Sequence, residues 1–207
     1  PAVALLRETA AAPTVATRNA VKLLASLACS ADGQEAIAAA GAIPALVTML
    51  DAEPRSASTA ALALSNLALN HTGIKAAIVE AEGAQHLVPL LLHNSCELHA
   101  DGPFERQSMR QRAHQRAGLL ARNLASDAKG AAALHAAGAI APLVASLHVT
   151  EAATAEHAAA AVQHMALFGT DATRSAILAA LVARPPPPPS DAKPLLGMML
   201  EAMRQIH

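Results

Sequence analysis

Four side chains in one short segment could together bind a metal ion. His93, Cys96, His99 and Asp101 offer nitrogen, sulfur and oxygen ligands within nine residues, and zinc accepts all three kinds. Their spacing of three and three is not a common zinc signature, and the chain has ten histidines, so chance proximity is the favoured explanation. We predict no bound metal and no other cofactor.

No other motif indicates catalysis. Gly33, Gly73 and Gly130 stand alone, so none belongs to a phosphate-binding loop. Nothing in the sequence resembles a nucleophile elbow or a pair of catalytic carboxylates. We therefore predict no catalytic residues, no small-molecule substrate and a protein that is not an enzyme.

Three segments have nearly the same sequence, which identifies a repeat protein. They read AAGAIPALVTML at 39–50, AEGAQHLVPLLL at 81–92 and AAGAIAPLVASL at 136–147. Gly41, Gly83 and Gly138 mark equivalent points that are 42 and 55 residues apart, so the longer period contains an insertion of 13 residues. These periods are typical of helical solenoids, in which function belongs to the surface that the stack creates.

Composition predicts an all-α, soluble protein. The chain is 53% hydrophobic, largely through alanine, and it lacks Trp and Tyr, unlike chains that form sheets. Its net charge of −1 argues against nucleic-acid partners and against membrane surfaces. Two cysteines and no apolar run of membrane-spanning length indicate an intracellular, cytoplasmic protein without membrane insertion. Ciliary, nuclear and organellar locations stay open, and the absence of an initiator Met suggests part of a longer or processed protein.

An apolar stripe recurs in four predicted helices. In the copy used as reference, the residues follow the i, i+3, i+4, i+7 rule of a buried helix face: Ala57, Ala60, Ala61, Leu64, Leu67 and Ala68. Equivalent sets begin at Thr17, His114 and Ala155, and the set with His114 and Gly118 is the weakest. Each repeat thus has three predicted helices: a short one ending at a marker glycine in a left-handed C-cap, a second one, and this long third one.

These features resemble the armadillo-repeat family. Two stretches carry the resemblance: AGAIPALVTML followed by ALALSNLA, and LLARNLA followed by AGAIAPLVASL. The resemblance covers most of 1–183 and implies a right-handed α-solenoid of about four repeats, with HEAT repeats as the nearest alternative. The predicted boundaries are a partial first repeat 1–41, then repeats 42–83, 84–138 and 139–183. A polyproline linker 184–190 then leads to a C-terminal helix 191–207, which either caps the stack or docks on another protein.

In the armadillo family, the third helices line a concave groove in which an asparagine can hold the backbone of an extended peptide. The resemblance places this role on Asn66 and Asn123, while Ser26 and His164 depart from the pattern. The alternatives are a locally bonded asparagine and an ordinary solvated helix face. The candidate groove residues, extended along the helix faces, are Arg18, Lys22, Ser26, Asn66, Asn70, Leu119, Asn123 and His164.

The charge of this groove suggests its ligand. Armadillo domains that bind nuclear-localisation signals carry a tryptophan four residues before the asparagine, where this chain has Leu62 and Leu119. Without Trp, the capture of Lys or Arg by cation–π contacts is disfavoured. We therefore expect an extended segment with acidic or apolar anchors near Arg18 and Lys22.

The insertion 93–115 is predicted as a loop between the second and third helices of one repeat. Arg106, Arg110 and Arg112 are its candidate binding residues, and they either attract an acidic partner or solvate the beginning of a long helix. Pro103 is expected to begin that helix.

The predicted function is a non-catalytic protein–protein interaction module or scaffold subunit. Its partners would be proteins that present an extended segment, or neighbouring subunits of a larger complex. The alternative is a regulatory domain that senses a small molecule or metal and is attached to an enzyme outside this chain.

Overall fold

The computed structural model describes residues 2–9, 14–92, 104–149 and 151–183. In these ranges it contains twelve α-helices and no strand, so the predicted all-α class is confirmed. A 3-10 turn, Met49–Asp51, extends α4. The helices are α1 Ala2–Thr9, α2 Val15–Leu27, α3 Ala31–Ala39, α4 Ile43–Thr48, α5 Pro54–Ala68, α6 Thr72–Glu80, α7 Gly83–Leu92, α8 Phe104–Leu124, α9 Ala128–Ala136, α10 Ile140–Ser146, α11 Ala152–Phe168 and α12 Asp171–Ala183.

The helices form layers of three that stack along the chain. The complete layers are α3 to α5, α6 to α8 and α9 to α11, with α1 and α2 before them and α12 after them. The long helices pack in order, α2 on α5, α5 on α8 and α8 on α11. This packing of each layer on the next is that of an α-solenoid.

The predicted apolar stripe is the contact between layers. All six of its residues on α5 are fully buried, from Ala57 to Ala68. The copy on α8 is buried as well, including His114, whose Nε2 lies 3.0 Å from Ser146 Oγ. The buried histidine therefore has a polar partner inside the core, and the copy that looked weakest in sequence is as closely packed as the others.

Two members of the stripe were predicted wrongly. Leu27 is 47% exposed, and Ala155 is only partly buried. The main contacts of α2 are with α1 and α5, so among the described helices no earlier long one covers its other side. Leu27 therefore lies at the uncovered beginning of the described stack.

Sharp turns connect the first and second helices of two layers. Gly41 and Gly138 have φ of 69° and 79°, and the helices that flank them bend by 93° and 94°. Glycine is favoured there because positive φ strains residues that have a Cβ. The predicted left-handed C-caps are confirmed at these two positions.

The prediction for Gly83 is wrong by one residue. The left-handed residue is Glu82, with φ of 62°, and Gly83 is the first residue of α7. A Cβ on Gly83 would lie 2.6 Å from Ile78 Cγ2 and 2.8 Å from Ile78 O. This glycine therefore permits a close approach to α6 instead of a left-handed turn.

The insertion is also partly different from its prediction. The helix α8 begins at Phe104, so residues 104–115 are helical, and Arg110 and Arg112 lie on a helix instead of a loop. The side chain of Arg106 and the segment 93–103 lie outside the described residues. The alternative, that these arginines belong to the beginning of a long helix, agrees with the structure.

The linker 184–190 and the helix 191–207 lie outside the described residues, so the capping helix stays a prediction. Next to this segment, α12 leaves Leu178 and Val182 37% and 80% exposed. None of the helices in the described ranges is by itself long and apolar enough to cross a membrane. Jointly, α9 with α10, and α3 with α4 and its 3-10 turn, reach that length and composition.

The stripe predicts which leucines carry stability. Leu64→Ala and Leu67→Ala should each lower the free energy of unfolding by about 2–5 kcal/mol, because each leaves a cavity between layers. Chemical denaturation followed by circular dichroism measures this. Leu23, which is 53% exposed on α2, is the control, and Leu23→Ala should change stability by less than about 0.5 kcal/mol. Equal losses in all three variants would contradict the assignment of the buried face.

The N-cap of α5 predicts a pH effect. Glu53 accepts hydrogen bonds from Ser56 Oγ at 2.7 Å and from the N–H of Arg55 at 2.8 Å, and it lies 3.9 Å from Arg18. Burial alone would raise the pKa of Glu53, but these hydrogen bonds and the charge of Arg18 bring it below its ordinary value. A lowered carboxyl pKa adds stability above the ordinary pKa, which is lost as pH falls through the lowered one.

We therefore expect Glu53→Gln to be less stable than the original chain at neutral pH, by about 1 kcal/mol or less, because the carboxylate is half exposed. The two stability curves should converge in acid. Thermal melts across the pH range test this, with the exposed Glu35→Gln as the control. A difference that is independent of pH would contradict the role of the Glu53 charge.

Candidate functional site

Three consecutive long helices, α2, α5 and α8, line an open groove of about 440 Å³. Because the same positions recur in each repeat, their side chains form rows that cross the stack. The described lining consists of Lys22, Ala25, Ser26, Cys29, Arg55, Ser58, Thr59, Leu62, Asn66, Met109, Arg112 and Arg116.

The structure brings together part of the predicted set. Lys22, Ser26, Asn66 and Arg112 line the groove, and Arg112 comes from the insertion rather than from the predicted groove row. The other predicted residues with described side chains do not line it: Arg18, Asn70, Arg110, Leu119, Asn123 and His164.

The predicted residues did not include Arg55 and Met109, which line the groove one turn nearer the N-termini of their helices. Arg55 lies three residues before Ser58 on α5, and Met109 lies three residues before Arg112 on α8. Helical periodicity, extended by one turn toward each N-terminus, would have indicated both. Cys29, three residues after Ser26, follows from the same rule in the other direction.

Asparagine amides connect each long helix to the preceding one. Asn66 Nδ2 donates to Ala25 O at 3.0 Å, and Asn123 Nδ2 donates to Ser65 O at 2.9 Å. In the next layer, His164 Nδ1 lies 3.1 Å from Arg122 O, so this nitrogen carries the hydrogen. We call these three contacts the inter-repeat ladder. It continues through the histidine, although His164 departs from the asparagine pattern.

The ladder gives the two asparagines different roles. Asn123 is 8% exposed and joins two helices beside the core, so it is a structural residue. Asn66 is partly exposed on the groove wall, and its Nδ2 also lies 3.5 Å from Cys29 Sγ. Both amides bond to backbone, but to that of the neighbouring helix rather than locally.

Two other predicted groove residues have different surroundings. Asn70 is an exposed turn residue between α5 and α6, with φ of 58°, a conformation that asparagine tolerates better than most residues. Arg18 lies 3.9 Å from Glu53 outside the lining. Neither side chain contributes to the groove surface.

The groove is positively charged. Lys22, Arg55, Arg112 and Arg116 come from three helices, and the described lining includes no Asp or Glu. Arg116 Nη1 donates to Ser58 O at 3.2 Å and to Ser58 Oγ at 3.0 Å, which fixes its position across α5. Burial, and to a lesser extent the charge of Arg112, lowers the pKa of Arg116 from its ordinary value.

This positive charge does not continue onto α11. The residue in the place of Arg116 is His157, where burial, followed by the charge of Arg122, lowers the pKa and favours the neutral form. Further along α11, His164 and Phe168 form an edge-to-face pair with ring centroids 6.1 Å apart. At α11 a histidine whose neutral form is favoured therefore replaces the arginine, and an aromatic pair follows it.

The described residues contain no group of three or more His, Cys, Asp or Glu side chains that could hold a metal ion. The segment with His93, Cys96, His99 and Asp101 lies outside them. Hydrogen bonds, helix packing and charge are thus the chemistry of the described groove.

A family model for the Armadillo/beta-catenin-like repeat matches residues 30–69. This segment contains α3, α4 and α5 in full. The chain has the armadillo-repeat fold. No curated protein matches its sequence.

Solved structures of this shape include engineered and natural proteins. An engineered protein is 27% identical, with a TM-score of 0.71 over 86% of this chain and 67% of its own. A designed armadillo repeat protein in complex with peptide (KR)4 is 24% identical, with a TM-score of 0.75 over 98% of this chain and 80% of its own. The armadillo repeats only protein of Plasmodium falciparum is 18% identical, with a TM-score of 0.69 over 92% of this chain and 81% of its own.

The inter-repeat ladder predicts unequal costs for its members. Asn123→Ala should lower the free energy of unfolding by about 1–3 kcal/mol, because it leaves a buried carbonyl without its donor. Asn66→Ala should cost about 1 kcal/mol or less, because water can reach the partly exposed site. Denaturant titration measures both, with the exposed Asn19→Ala on α2 as the control. A smaller loss at Asn123 than at Asn66 would contradict the structural role of Asn123.

Proposed function

We propose that this armadillo domain is a non-catalytic protein-binding module that holds an extended segment of a partner in the groove of α2, α5 and α8. The observation that carries the proposal is the groove itself, which is open and lined by polar side chains from three successive repeats. An extended segment crossing the stack would meet equivalent positions of each repeat in turn. Repeat surfaces of this kind are extended concave binding surfaces.

The contacts between the helices support a preformed groove. The inter-repeat ladder joins α5 to α2 and α8 to α5. Gln34 Nε2 on α3 adds a second connection between the end of α2 and α5, because it donates to Ala28 O at 3.0 Å and to Asn66 O at 2.9 Å. A binding surface that is ordered before the partner arrives avoids part of the entropic cost of association.

The fold supports the same function. Armadillo solenoids typically bind proteins, and one designed armadillo relative is in complex with peptide (KR)4. The groove described above is itself rich in Lys and Arg, so we propose a partner segment of a different character for this chain. The alternative, a sensing domain, has no supporting observation among the described residues.

A substitution that fills the groove tests this function. Ser26 is exposed on α2 and lines the groove, so Ser26→Trp should obstruct it without disturbing the core. Ala36→Trp is the control, because Ala36 is exposed on α3 and is not part of the lining. A displayed library of random peptides is selected on the original chain, and the selected peptides are measured on both variants by fluorescence anisotropy.

We expect selected peptides to lose at least about tenfold in affinity on Ser26→Trp, because the indole occupies their site, and to keep it on Ala36→Trp. Circular dichroism melts establish that both variants are folded. Peptides that bind both variants equally well, or a library that yields no binders, would contradict the proposed function.

A further inference from the structure

We infer that the groove selects an acidic segment, whose Asp or Glu carboxylates bind Lys22, Arg112 and Arg116. We call these three side chains the basic cluster. The inference rests on the proposed function and adds the charge of the ligand to it.

The basic cluster differs from most other described cations in its lack of ion pairs. Outside the groove, most described cations are close to a carboxylate: Arg18 with Glu53 at 3.9 Å, Lys75 with Asp127 at 3.9 Å, Lys129 with Glu80 at 2.8 Å and Arg174 with Asp171 at 2.6 Å. The ion pairs of the described chain include none with Lys22, Arg112 or Arg116, and the lining contains no described acidic residue. These three cations are therefore not neutralised by a described carboxylate.

The overall charge does not explain this pattern. The chain has 15 Lys and Arg against 16 Asp and Glu, so a random distribution would place both signs in the groove. Instead, Arg55 and Arg112 occupy equivalent positions of successive repeats on α5 and α8. The repeat architecture itself thus aligns two guanidinium groups across the groove.

The groups in the cluster suit carboxylates. A guanidinium presents a planar set of N–H donors that can bind a carboxylate through two parallel hydrogen bonds. Arg116 is held in place by its bonds to Ser58 O and Oγ, so its orientation is set before a ligand binds. Leu62 and Met109 add apolar surface beside the cations, which suits apolar residues between the acidic ones.

The proximity of like charges also favours an anion. Arg112 and Arg116 are four residues apart on α8 and therefore share one face, where like charges repel. Burial, and to a lesser extent this charge of Arg112, disfavours the charged form of Arg116 and lowers its pKa. A bound carboxylate would reverse this effect by supplying the opposite charge.

The spacing of the helices sets the length of the segment. Packed helices lie about 8–10 Å apart, and an extended chain advances about 3.3 Å per residue. From α2 to α8 a partner segment therefore needs about five or six residues. Acidic residues near both of its ends would meet Lys22 at one side and Arg112 with Arg116 at the other.

The peptide selection described above also tests this inference. Among the peptides that Ser26→Trp excludes, we expect strong enrichment of Asp and Glu, separated by apolar or small residues. Their affinity should fall steeply with added salt, because screening weakens the attraction between exposed charges.

A charge reversal with a matched control completes the test. Arg112→Glu should weaken the selected acidic peptides by at least about tenfold, whereas Arg110→Glu should weaken them by less than about threefold. Both substitutions change the net charge equally and lie on α8, but Arg110 is not part of the lining. Replacing Glu by Lys in a selected peptide should restore binding to the Arg112→Glu variant.

The outcomes separate the inference from the proposed function. Groove-dependent peptides that are neutral or basic would overturn the acidic ligand and leave the binding function standing. Equal losses in Arg112→Glu and Arg110→Glu would also overturn it, because only the general charge of the protein would then matter. The absence of any groove-dependent peptide would overturn both.

Discussion

The burial of one apolar stripe between successive long helices is the interaction on which this protein depends. On α5, the stripe combines four alanines with Leu64 and Leu67, and all six side chains are removed from water, with α2 packed on one side and α8 on the other. No layer could hide this surface alone, so each layer stabilises the next. The groove lies on the opposite face of the same helices. Its shape depends on the distance between these helices, which the side chains of the stripe determine.

Polar side chains at equivalent positions of successive repeats form hydrogen bonds between these closely packed helices. Where adjacent helices approach, Asn66, Asn123 and His164 donate to a carbonyl of the helix before them. These bonds satisfy side-chain groups that packing has partly removed from water, and they hold each helix in register with its neighbour. The main role of a side-chain amide at this position is therefore structural, because it links two helices. Only Asn66, on the exposed wall, also belongs to the binding surface.

The charge of the groove is separate from its stability. Lys22, Arg55, Arg112 and Arg116 line the groove and do not belong to the buried stripe. Their convergence has a cost, because burial and then the charge of Arg112 disfavour the charged form of Arg116 and lower its pKa. Such a cost is understandable where a ligand of opposite charge is to be bound. Stability and recognition thus use opposite faces of the same three helices.

The sequence by itself determined the helical class, the repeat period and most of the stripe, because helical periodicity and recurrent glycines are local signals. It also indicated Lys22, Ser26, Asn66 and Arg112. Only the tertiary structure decided that Asn123 is a buried link, that Leu27 is uncovered and that Glu82 replaces Gly83 as the left-handed residue. These outcomes depend on which helix packs beside each residue and how closely. The spacing of residues along one helix does not show which residues of the neighbouring helix they contact. For this reason the basic cluster, whose members come from different repeats, could be recognised only in the stacked structure.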